Sequence, residues 1–243
     1  MGRLIAWGLV GMALSACMLG IYGCGGGSGG LPAGTAVVVD GRSVSEAAVA
    51  HWTPIEAVLA YELFPQKAVP PGLVPDPPNY TRCIAYLRQV EAERPVPKPI
   101  PPAPVLKQRC RARYEGTRTH MIDFLTTYHW LELEAAERGW GVSTAAARAD
   151  LERHIRSQFG DRAAFARYLT YTGLNMEDEV LRFKNNLLAS ALLTHILPAK
   201  GTDGERLAAY KRFLDRWIHR THCRPGYLAP NCSEYKGPLQ PGA

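Results

Sequence analysis

The chain has 243 residues, 47% hydrophobic and 21% charged, which is enough apolar material for a buried core and too much for a disordered tail. Its formal net charge is +6, spread over 28 Lys and Arg against 22 Asp and Glu, a balance that argues against a basic nucleic-acid arm, while the overall pattern argues against a membrane transporter. Twelve of the 19 prolines fall between positions 65 and 104, so much of that stretch is non-helical.

Residues 1–23 carry one charge, Arg3, ahead of an apolar run over 4–21 that ends in small residues and cysteine, the layout of an export signal. Two cysteines follow the bacterial lipoprotein cleavage pattern: Leu14-Ser15-Ala16-Cys17 and Ile21-Tyr22-Gly23-Cys24. Cleavage at Cys24 leaves Gly25-Gly26-Gly27-Ser28-Gly29-Gly30 as a flexible tether, so lipidation is expected at Cys24, with Cys17 as the alternative. An uncleaved anchor helix is a further alternative, because the run approaches the roughly 20 residues that span a bilayer. The expected layout is a signal peptide over 1–23, a tether over 24–34, a helical domain over 35–200 with a proline-rich insertion over 65–104, and a C-terminal helix with a cysteine-closed tail over 201–243. All of this places the folded part outside the cell membrane, lipid-anchored.

The β-branched run Thr35, Val37, Val38 and Val39, followed by Asp40-Gly41, predicts one short strand and a turn. Ser45 is the expected N-cap of a helix carrying Val49, Trp52, Ile55 and Val58 at helical spacing, with Pro54 as a kink or break and the end near Phe64. Prolines exclude a regular helix over 65–78 and favour polyproline II over 95–104, with a short helix between them over 80–93. From Lys107, the residues Tyr114, Met121, Phe124, Leu125, Tyr128 and Leu131 form one apolar stripe on a long helix that Gly139 and Gly141 end. Ser143, Asp161 and Asn175 are expected to cap three further helices. A final helix over about 203–220 carries Leu207, Tyr210, Leu214 and Trp217.

Setting aside Cys17 and Cys24, four cysteines remain, and in an oxidising compartment two disulfides are their expected use. Neighbours along the chain pair Cys83 with Cys110 and Cys223 with Cys232, although sequence alone allows three pairings. A competing zinc set would use His219, His222, Cys223 and Cys232, without the usual Cys-x-x-Cys spacing. No phosphate loop, His-Glu-x-x-His or Gly-x-Ser-x-Gly occurs, so no catalytic residue, metal or cofactor is expected. Two basic runs, Lys107, Arg109, Arg111 and Arg113, then Arg212, Arg216, Arg220 and Arg224, are either solvated faces or surfaces for anionic headgroups or acidic polypeptides.

The segment Val37-Val38-Val39-Asp40-Gly41-Arg42-Ser43-Val44-Ser45 leading to Trp52 resembles the opening of SurA/PrsA-type extracytoplasmic foldases. The likeness continues through Pro77-Pro78-Asn79-Tyr80-Thr81-Arg82-Cys83, Lys107-Gln108-Arg109-Cys110, Phe165-Ala166-Arg167-Tyr168-Leu169 and the tail from Cys223 to Cys232. The resemblance implies a mostly α-helical SurA-N-like chaperone domain, completed by the returning C-terminal helix. It also marks a departure: only residues 197–204 stand where such foldases carry a parvulin isomerase domain of about one hundred residues. The expected function is therefore a holding chaperone for unfolded secreted polypeptides, with the membrane reached through an N-terminal lipid and no nucleic-acid partner. Expected client contacts are Tyr61, Phe64, Tyr80, Tyr86 and Trp130, near the proline loops. The competing readings are peptidyl-prolyl isomerase by family membership and a structural envelope lipoprotein docking through its basic faces.

Overall fold

The computed structural model describes residues 30–61, 68–96 and 98–237; the signal peptide, Cys17, Cys24, most of the tether and Phe64 lie outside them. The chain divides into two units, Met1–Gly30 and Leu31–Ala243, and the core, the sheet and both disulfides described below lie in the second. That unit is mostly α-helical, with seven α-helices and a three-stranded sheet among the described residues. No described helix is long and apolar enough to cross a membrane.

Strand β1 (Thr35–Val39) turns at Asp40 and Gly41, φ +46° and +84°, into β2 (Arg42–Ser45). Two positive φ angles are what a two-residue hairpin between right-twisted strands requires. The expectation of a single strand is corrected twice: β2 pairs antiparallel with one edge of β1, and β3 (Thr221–Cys223), from the distant tail, pairs antiparallel with the other. Short strands of three or four residues carry little periodic signal, and β3 exists only because the tail returns to β1.

Helix α1 (Glu46–Leu59) is capped by Ser45, whose hydroxyl accepts from the Ala48 amide at 3.0 Å, and it continues through Pro54 without breaking, ending before Phe64. Helix α2 (Thr81–Ala92) is capped by Asp76, which accepts from the Arg82 and Cys83 amides at 3.1 and 3.0 Å. Slight burial opposes the charge, but those amides hold the Asp76 carboxyl below its ordinary value. Gly72 (φ +81°) lies against α2, where a Cβ would sit 2.1 Å from the Arg82 carbonyl oxygen.

Helix α3 (Ala103–Arg138) has 36 residues, about 54 Å of rise. Its first half pairs with α2 as an arm, fastened by the buried Cys83–Cys110 disulfide against Tyr80. Its second half crosses the main core, where α1, the sheet and α6 surround it, so the expected single stripe widens to include Ile122, Trp130 and Ala135. The caps at Ser143, Asp161 and Asn175 open α4 (Thr144–His154), α5 (Arg162–Thr172) and α6 (Met176–Ile196), the last through a reciprocal capping box with Asp178. Between α4 and α5 the chain makes a π-helical turn (Ile155–Phe159) ended by Gly160 at φ +77°.

Residues 197–202 lead directly into α7 (Asp203–His219). Its buried face is Ala209, Phe213 and Trp217, whereas Leu207 is 54% exposed and Tyr210 and Leu214 are half-buried, so the face is rotated from the expected one. The rotation follows from a polar requirement. Glu134 on α3 is wholly buried; its carboxylate accepts from the Trp217 indole N–H at 2.7 Å and pairs with Arg138 at 2.5 Å and with Arg216. Trp130 donates to the Thr221 hydroxyl at 2.8 Å, which donates to the Trp217 carbonyl at 2.8 Å, tying α3, α7 and β3 together.

The Cys223–Cys232 disulfide closes the tail. With Cys223 and Cys232 bonded to each other, the zinc set is not formed; His222 pairs with Glu234 at 2.9 Å instead. Two disulfides fit maturation in an oxidising, extracytoplasmic environment. Arg224 donates to the Leu31 and Pro32 carbonyls, at the end of the expected tether, and to that of Thr35 at the start of β1.

Replacing the buried clamp, Glu134→Ala, leaves an indole N–H and two guanidinium groups facing each other and is expected to cost about 3 kcal/mol by urea unfolding. Glu137→Ala, on the half-exposed pairs to Arg216 and Arg220, is expected to cost under about 1 kcal/mol. Equal losses would contradict the clamp. Asp123, which accepts from the Asn231 amide at 3.2 Å, is pushed up to about 6 by burial, against the Asn231 bond and the His120 charge. A folded value above the ordinary 3.8 means that stability falls as pH rises through this window, and is level above it. Asp123→Asn is therefore expected to stabilise at pH 7.5 by on the order of 1 kcal/mol, allowing for partial exposure, with the gain shrinking towards pH 4. A gain that does not change with pH would show that the carboxylate charge is not the cause.

Candidate functional site

Of the expected contact residues that are described, Tyr61 and Tyr86 meet each other, and Tyr80 and Trp130 are buried. Trp130 is 1% exposed and Tyr80 5% exposed, so both are core and are withdrawn as surface contacts; aromatic rings near a proline loop were equally suited to anchoring it. Tyr80 packs on the Cys83–Cys110 disulfide, with its ring 6.4 Å from that of Tyr114. Tyr61 and Tyr86 are half-buried and meet through a hydrogen bond, beside Arg113, whose guanidinium lies 5.9 Å from the Tyr86 ring. Burial and the Tyr61 bond push the Tyr86 hydroxyl up to about 12, so Tyr86 stays neutral and acts as packing.

The aromatic residues that do converge come from elsewhere. The π-helical turn, α5 along its length and the first half of α6 bring Phe159, Phe165, Tyr168, Tyr171 and Phe183 around a groove of ≈460 Å³, with Val58 and Leu59 of α1 as the facing wall. The Phe159 ring lies 5.2 Å from both Phe165 and Tyr168, and the His154 ring lies 5.1 Å from Phe183. The π-turn is the device that matters here. It ends the run of α4 with one widened turn and aims Phe159 at α5, while Ile155 stays in the small core formed with Ala147, Leu151, Phe165 and Val180.

One ion pair lies in the groove wall. Glu179, 2% exposed, accepts from Arg182 at 2.7 Å, and Arg182 also donates to the Tyr168 hydroxyl at 3.1 Å. Burial works against the Arg182 charge, but Glu179 and Tyr168 hold its guanidinium above the ordinary value; burial and then the Glu179 charge raise the Tyr168 hydroxyl. The pair is therefore charge-compensated and locks one wall without presenting a net charge to an occupant. Gln158 and Asn186, both exposed, add amide donors and acceptors at the rim. The result is an apolar trough with a few polar groups, suited to binding an apolar or aromatic side chain together with its backbone. A second hollow of ≈640 Å³ beside α7 is walled by Lys200, Glu205 and Arg212 without any Phe, Tyr or Trp.

The signal that would have found the groove is local: residues 159–183 hold five of the chain's 11 Tyr and 6 Phe. The second basic run is largely consumed by internal pairs. Arg216 and Arg220 bind Glu137, Arg220 also meets Asp40, and Arg224 meets Glu46 at 3.2 Å, so this face offers little free cation for docking. Compared with known protein families, with curated proteins and with solved structures, the chain has no match in any of the three.

Proposed function

We propose that this chain is a lipid-anchored extracytoplasmic holding chaperone of the SurA/PrsA kind, which binds short apolar stretches of unfolded exported polypeptides in the aromatic groove. The observation that carries the reading is the groove itself: five aromatic rings and two aliphatic side chains around ≈460 Å³, at a π-turn, with its one ion pair internally compensated. Such a surface discriminates weakly between sequences, because it reads apolar bulk and offers rim amides to any backbone. The short 197–202 connection supports holding without isomerisation, since it leaves no room for a catalytic domain between α6 and α7.

The test is the refolding of an unfolded secreted client whose recovery is limited by proline isomerisation, with rate and soluble yield recorded together. Residues 31–243 are expected to raise the yield and leave the rate unchanged. Phe159→Ala is expected to remove most of that gain, while Leu207→Ala, on the exposed face of α7, keeps it. A raised rate at substoichiometric protein would make the chain an isomerase and overturn the reading. An undiminished yield with Phe159→Ala would move the contact away from the groove.

A further inference from the structure

The arm formed by α2, its proline loop and the first half of α3 has a property that client holding does not use. Among the described residues, seven large hydrophobic side chains are exposed, and four of them lie here: Val90, Val96, Ile100 and Val105. Val96 keeps 67% and Ile100 47% of its surface in solvent, on a loop braced by prolines and fastened behind by the buried Cys83–Cys110 disulfide. The same stretch, residues 81–113, carries eight Lys and Arg against Glu91 and Glu93, a surplus of +6 that equals the net charge of the whole chain. Glu91 is buried between Arg94 and Arg109, at 2.9 Å from each, and Glu115 pairs with Arg111 at 3.7 Å, with both side chains exposed, so the exposed carboxylates of the arm, Glu93 and Glu115, are outnumbered by its cations. Lys98 sits between Val96 and Ile100, and Lys107 and Arg111 follow one turn apart on α3, all exposed.

We propose that the tip of this arm docks on an anionic lipid bilayer, with Val96, Ile100 and Val105 entering the headgroup layer and Lys98, Lys107 and Arg111 facing headgroup phosphates. The partner follows from the combination. An acidic polypeptide would answer the charge and not the protruding aliphatic side chains; an apolar unfolded segment would answer those and not the charge. A bilayer surface of anionic lipid presents a plane of negative charge over an apolar layer and answers both. The disulfide and the prolines hold the tip in one shape before it binds, so insertion orders little new chain.

The experiment is co-sedimentation of residues 31–243, which lack the lipidation cysteines, with phosphatidylcholine vesicles with and without phosphatidylglycerol. Binding is expected only to the phosphatidylglycerol vesicles and to weaken steeply with salt. The combined variant Lys98→Gln, Lys107→Gln and Arg111→Gln is expected to weaken it about 100-fold. Val96→Asp is expected to weaken it at least about tenfold with an unchanged melting temperature, as fits a 67% exposed position. Equal binding to both vesicle types, or no effect of the combined variant, would overturn the proposal. Tighter binding of soluble polyglutamate than of vesicles, indifferent to Val96→Asp, would overturn it in favour of an acidic polypeptide partner. Because the groove variant Phe159→Ala leaves the arm intact, loss of client holding and loss of vesicle binding are separable.

Discussion

A carboxylate with no exposure to water has to be surrounded by donors, and Glu134 obtains them from α7 as well as from its own helix. That requirement turns Trp217 and Arg216 toward α3 and fixes the rotation of α7 about its axis. With α7 so placed, the next residues run alongside β1, where Val37, Val38 and Val39 take Cys223, His222 and Thr221 as partners. The far ends of the folded unit are thereby joined in one sheet, and Arg224 extends the joint to the Leu31 and Pro32 carbonyls. Helix α7 is held by this polar contact and by the apolar surface around Trp130 and Phe213, whose rings meet at 6.3 Å.

The two halves of α3 serve different ends. The second half is enclosed by core and is where burial is deepest; the first half has α2 as its principal partner and relies on a disulfide, on the Asp76 cap and on the close approach at Gly72. The groove is built on the small α4–α5–α6 core with Val58 and Leu59 of α1 as a wall, and none of its lining residues belongs to the arm. The molecule thus carries one apolar trough on a helical body and one basic, apolar-tipped arm.

Much of the helical layout was legible because its punctuation is local. Ser45, Ser143, Asp161 and Asn175 each cap the helix they were expected to cap, since a side-chain oxygen three residues before an amide needs no tertiary help. The disulfides followed neighbours in sequence, since both join segments already close along the chain. Strand β2 was missed although it adjoins β1 through the Asp40-Gly41 turn, because four residues carry little pattern; other failures are non-local. Strand β3 has no intrinsic pattern, the α7 face was set by a buried charge on another helix, and Trp130, a candidate for either contact or core, is fixed in the core by Thr221, 91 residues away. The groove has a local signal, five rings within residues 159–183, but helical spacing alone assigns Phe165 and Phe183 to core.

The two disulfides fit an oxidising environment, and the proposed holding function rests on the aromatic groove. The most direct measurement is backbone amide chemical-shift mapping of residues 31–243 titrated with an extended, apolar, uncharged peptide. The account predicts shifts concentrated at Val58, Leu59 and the residues around Phe159, Tyr168 and Phe183. Shifts concentrated on any other face, or none at saturating peptide, would contradict it.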